Sequence, residues 1–124
     1  MILKTLGIVA VLVGLSAAPA MAQSLCQEPI APAAVDGSKA TTAQMNGAHD
    51  DVVAFIKQSD DYQSCLLKEL RDAKAAALKN KKDVDPSLES AVDAKVSANQ
   101  HLKEKIGGEF NAAVMAFKAK HPNE

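Results

Sequence analysis

The chain has no tryptophan, one tyrosine and three phenylalanines, too few aromatic side chains to line a large desolvated cavity. It also lacks charge of one sign. The formal net charge is −1, which leaves no basic face of the kind that nucleic-acid binding requires. No nucleophile elbow, phosphate loop, dinucleotide fingerprint, zinc-protease helix motif or EF-hand loop is present, and each would be visible by its spacing. Paired acids such as Asp60 and Asp61 are neighbours on a helix, so their side chains diverge, whereas general acid-base catalysis needs groups that converge on a cleft. No enzyme, no catalytic residue and no cofactor is expected.

Long apolar runs are missing except at the start. Lys4 supplies a positive n-region, Leu6 to Leu15 an apolar h-region, and Ala20-Met21-Ala22 a small-x-small cleavage site before Gln23, the pattern of a secretory signal peptide over residues 1–22. An uncleaved anchor is the alternative, but the apolar run is shorter than a bilayer span. Cleavage leaves 102 of the 124 residues and removes Lys4, for a net charge of −2. That suffices for one small domain. The expected location is the periplasm of a Gram-negative bacterium, or outside the cell.

Cysteine is scarce but even in number: Cys26 and Cys65 both follow the cleavage site. In an oxidising compartment this reads as one disulfide. A redox couple would call for the Cys-x-x-Cys spacing, which is absent. In the chain-entropy model, closing a loop of this size stabilises by about 4 kcal/mol.

Residues 23–40 hold Pro29, Pro32, Asp36 and Gly37 and read as an extended, polyproline-like segment. Residues 41–120 read as an α-helical hairpin. Thr41 with Gln44 forms a capping-box pattern, with Thr42 an equal candidate for the cap. Met45, Ala48, Val52, Ile56, Cys65, Leu66, Leu70, Ala73 and Ala77 recur at steps of three and four, widened by Phe55 and Tyr62. They predict a helix from Thr42 to Asn80, with a break or kink possible at Gln58 to Asp61. Asp85-Pro86 is a strong start signal for a second helix. Its stripe runs Leu88, Val92, Val96, Asn99, Leu102, Ile106, Phe110, Val114, Phe117, interrupted by Gly107-Gly108, where a bend or loosening is expected. The fold class is therefore all-α: an antiparallel hairpin of two long helices, with the proline segment stapled along it by the Cys26–Cys65 disulfide as a third layer. A turn near Asp83 would set Cys65 opposite about His101, and His49 opposite about Phe117.

Three features are candidates for chemistry or recognition. His49 and Asp50, with His121 near the position facing them, would suit zinc or copper if the open end of the hairpin gathered them, although no histidine pair has a ligand spacing on one helix. Asn99 either fixes register or oligomeric state, or bonds backbone of the proline segment. Lys68 to Asp83 carries a local charge of +3, so Lys79, Lys81 and Lys82 could touch anionic headgroups or an acidic partner. The faces there are mostly alanine, too shallow to insert.

Cys26-Gln27-Glu28-Pro29 and Pro32, followed later by Tyr62-Gln63-Ser64-Cys65, resemble small exported helical proteins of proteobacteria with no assigned role. The resemblance implies a periplasmic or secreted helical protein and carries over no activity. The expectation is a non-enzymatic module that binds another protein or a second copy of itself through apolar stripe left uncovered. A metal-binding protein using His49, Asp50 and His121, or a small enzyme inhibitor, are the alternatives.

Overall fold

The computed structural model describes residues 24–123, so the signal peptide expected over Met1 to Ala22 lies outside the described residues. Two helices account for most of the chain: α1, Thr42–Lys79, and α2, Pro86–Lys120. Both start where their caps dictate. The Thr41 hydroxyl accepts from the Gln44 amide at 3.2 Å while Gln44 Oε1 accepts from the Thr41 amide at 2.9 Å, a reciprocal capping box. Asp85 Oδ1 accepts from the Ser87 amide at 2.9 Å, with Pro86 at the first helical position, where a missing N–H costs nothing.

Neither helix is broken at its weak point. α1 runs unbroken through Gln58 to Asp61, because Ser59 is the residue that its packing requires at that level. Ser59 is fully buried, and its hydroxyl accepts from Asn99 Nδ2 at 3.2 Å. α2 likewise continues through Gly107-Gly108. In the hairpin, tertiary packing outweighs the modest propensity cost of these residues.

The reversal comes earlier than Asp83. Asn80 caps α1, Lys81 adopts a left-handed φ of 53°, and the Lys82 amide returns to the Ala77 carbonyl at 2.9 Å, a Schellman-like closure. The cross-hairpin pairs Lys74–Glu89, Gln63–Gln100 and Lys103–Asp60 are symmetric about a point between Lys81 and Lys82. Each partner is therefore displaced by about three residues from the register expected of a turn at Asp83. That register sets His49 level with Val114 in place of Phe117, and its ring packs one turn nearer the reversal, on Phe110, with ring centroids 6.0 Å apart.

The core is divided. Near the turn, Tyr62, Leu66, Leu70 and Val92 are buried together, with Cys26 and Val96 packed on them. Toward the open end, Ala40, Met45 and Ala113 form a second cluster with Val35, Phe110, Val114 and Phe117. Between them lies the polar layer of Ser59 and Asn99, where Asn99 Oδ1 also accepts from Gln63 Nε2 at 2.8 Å. Asn99 thus bonds the facing helix and not the proline segment. Its partners fix the register of the hairpin.

The segment before α1, here the strap, forms the third layer. Cys26 is bonded to Cys65 with Cα atoms 5.7 Å apart. Beside the bridge, Glu69 accepts from the Ser24 hydroxyl at 2.8 Å and the Leu25 amide at 2.9 Å. At its other end Asp36 closes a turn through Lys39 and Ala40, and its side chain accepts from the Ser38 amide and hydroxyl. Gly37 then lies directly on α2: a Cβ there would stand 1.8 Å from the Ala113 carbonyl oxygen. Only glycine permits that approach.

Candidate functional site

The two halves of the strap are seated differently. Pro32 to Val35 press onto Ala48, Val52, Ile106 and Phe110 with about 20 Å³ of void, room for a single water at most. From Leu25 to Ile30 the strap stands away from α1 and encloses an open groove of about 650 Å³. A shallower continuation runs on past Ile30 to Ala33 along Asp51, Ala54 and Gln58. The cause is covalent. The bridge pins Cys26 to α1, and two prolines hold the intervening chain extended, so it spans the helix surface instead of settling on it.

The groove has an apolar rim and a polar floor. Leu25 and Ile30 are 91% and 90% exposed, although both sit on a segment fixed at either end. Among residues 27–35, no backbone amide or carbonyl makes a hydrogen bond within the described chain. On the floor lies Tyr62, 6% exposed. Its hydroxyl has no hydrogen bond to any described residue and is not among the fully enclosed polar atoms, and Tyr62 is one of the residues that line the groove. Burial pushes the Tyr62 phenol above its ordinary value, with the carboxylates of Glu28 and Glu69 adding to the rise. Asp61, also in the lining, is paired with Lys57 at 2.9 Å, whereas Glu28 has no ion pair or hydrogen bond among the described residues. No basic side chain lines the groove.

The histidines are not brought to one place. His49 Nδ1 lies 3.2 Å from Asp50 Oδ1. His121 caps α2, stacking on Phe117 at 4.2 Å with Nδ1 3.0 Å from the Phe117 carbonyl oxygen. His121 lies eleven residues beyond the Phe110 that faces His49, about 16 Å along a helix. The earlier reversal sets His121 level with Thr42 at the open end, about two turns of helix from the level of His49. Among the described residues, the three donors that do converge are Cys26, Cys65 and Glu69, and there both sulfurs are consumed by the disulfide. No metal centre results.

The lysines of the turn are solvated, Lys79, Lys81 and Lys82 all being exposed. Lys68 pairs with Asp72 at 2.6 Å within the stretch, and Lys74 with Glu89 at 2.9 Å, which offsets one of its three excess charges. No helix among the described residues is long and apolar enough to cross a membrane.

The groove was not visible in the sequence. The proline spacing and the cysteine pair signal a strap, but nothing in them tells which part of it stands off. The unbonded Tyr62 hydroxyl depends on that stand-off. No protein-family model, no curated protein and no solved structure matches the chain, so the reading of the groove rests on its own geometry.

Proposed function

We propose that the protein is an exported, non-enzymatic interaction module, and that the groove between the strap and α1 is its docking face. The observation that carries this is the rigid presentation of Leu25 and Ile30. Two large apolar side chains about nine-tenths exposed on a tethered segment give up little entropy on binding, which is the condition for affinity from a small surface. Their unpaired backbone neighbours add hydrogen-bonding groups that an extended partner can meet. The Cys26–Cys65 bridge supports export, since such bonds persist in oxidising compartments. The partner is another protein or a second copy of the chain.

The test is capture from periplasmic extract by the intact protein and by a Leu25→Ser, Ile30→Ser variant, with quantitative mass spectrometry. A partner retained by the first and lost by the second is expected. Sedimentation velocity of both proteins covers self-association, with a concentration-dependent shift that the double variant abolishes. Identical captured sets together with identical monomeric profiles would remove the groove from consideration.

A further inference from the structure

We infer that the groove takes a lysine or arginine side chain of an extended partner segment, its cation meeting the Glu28 carboxylate and the Tyr62 hydroxyl oxygen while flanking apolar residues cover Leu25 and Ile30. The inference rests on the groove being the docking face and adds the chemistry of what docks. Two groups without a partner in the described chain define it. Tyr62, more than nine-tenths buried as a residue, lines the groove, and its hydroxyl makes no hydrogen bond to a described residue and is not fully enclosed. Glu28, on the opposite wall, is the lining carboxylate without an internal cation, because Lys57 already serves Asp61.

Charge favours the same occupant. The lining contains Glu28 and Asp61 and no lysine, arginine or histidine, and Glu69 stands just behind, holding the strap's first amide and the Ser24 hydroxyl. An anionic segment would be repelled by Glu28 and Glu69, the charge of Asp61 being met by Lys57. A neutral one would leave the Glu28 charge partly desolvated without compensation, which is costly. A cation with an apolar stem meets both needs, since lysine and arginine lay their methylenes along apolar surface and keep the charge at the end. Charge-assisted hydrogen bonds to a carboxylate are also the stronger kind.

Tyr62 is the protein's one tyrosine, and there is no tryptophan, so its fluorescence reports this site alone. A short blocked peptide alternating leucine with arginine is titrated into the protein, and the same peptide with glutamate replacing arginine serves as comparison. The basic peptide is expected to change Tyr62 fluorescence saturably and to weaken with added salt, while the acidic one leaves the signal unchanged. Glu28→Gln, an exposed substitution, is expected to weaken the basic peptide by about tenfold, equivalent to about 1.4 kcal/mol. Equal affinity for both peptides, binding without a Tyr62 response, unchanged affinity in Glu28→Gln, or no binding at millimolar peptide would overturn the inference. If a captured partner depends on Leu25 and Ile30 but is indifferent to Glu28→Gln, the groove remains the docking face and its cationic occupant is refuted.

Discussion

Replacing Asn99 with leucine tests what holds the hairpin in register. Asn99 is 2% and Ser59 0% exposed, and the bond from Asn99 Nδ2 to the Ser59 hydroxyl oxygen spans 3.2 Å between the helices. Leucine has the branched shape and heavy-atom count of asparagine but a larger volume, so no cavity is created and the layer must repack slightly, while the Ser59 hydroxyl is left buried with no partner across the interface. Such an orphan costs about 1–3 kcal/mol. Gln63 loses its 2.8 Å bond to Oδ1 but is half-buried and keeps Gln100, so its share is small. Ser59→Ala alone strands the Asn99 amide in the same way, with a similar cost. Making both changes removes every fully buried polar side chain from this layer, and the pair should approach or exceed the stability of the parent, as coupled buried polar groups do when replaced together. Urea denaturation of the four proteins with the disulfide intact gives the coupling directly. With each single change costing about 1–3 kcal/mol and the pair costing little, the expected interaction is about 2–6 kcal/mol in magnitude, and each kcal/mol corresponds to about 4–8 °C in Tm for a domain of this size. Additive single effects, or an Asn99→Leu protein as stable as the parent, would show that the layer does not hold the helices as described.

Gly37→Ala puts a Cβ 1.8 Å from the Ala113 carbonyl oxygen, a clash of backbone with backbone that no rotamer relieves. It should cost about 1–3 kcal/mol in the urea midpoint and increase hydrogen exchange at Ala40 and Met45. Cys65→Ser should lose about 4 kcal/mol by the loop-entropy argument, and limited proteolysis should then cut first between Leu25 and Ile30, where the strap has no backbone bonds. Tyr62 gives a pH signature. Its phenol is held above the ordinary 10.0 by burial and by Glu28 and Glu69, so the folded state retains the proton longer than the unfolded chain. That contribution is fully present below pH 10.0 and declines as pH rises from there through the folded value. Tyr62→Phe should remove this alkaline decline in thermal scans while leaving neutral stability little changed.

Much of the architecture is legible in the sequence because it is local. Thr41 with Gln44, and Asp85 with Pro86, place both helix starts correctly, since capping depends on residues three apart or fewer. The stapled strap follows from two cysteines and two prolines. What failed depended on the partner helix. The Gln58 to Asp61 cluster looks weak by propensity, yet Ser59 is fixed in place by Asn99, forty residues away. Ala113 is buried because Gly37 lies on it, although the apolar stripe of α2 passes beside it. The exact reversal depended on Lys81 entering a left-handed conformation, which a lysine gives no reason to expect. Three residues of register were enough to part His49 from His121. The candidate site was the least legible feature. A groove arises from how far a strap stands off a helix, and Tyr62 read from the sequence only as a residue widening the stripe.

The bridge also determines how the molecule would bear a pull. Tension entering at Ser24 passes through Cys26 directly into Cys65, in the middle of α1, and leaves along the rest of α1, the turn and α2. Residues 27–64 lie outside that path. No covalent tension therefore crosses the loop that carries the strap, the capping box and Tyr62, whose hold on α2 is non-covalent, at Ala113, Asn99 and Val92. As the helices peel apart those contacts open, while the bridge keeps the strap and α1, the two walls of the groove, joined to each other.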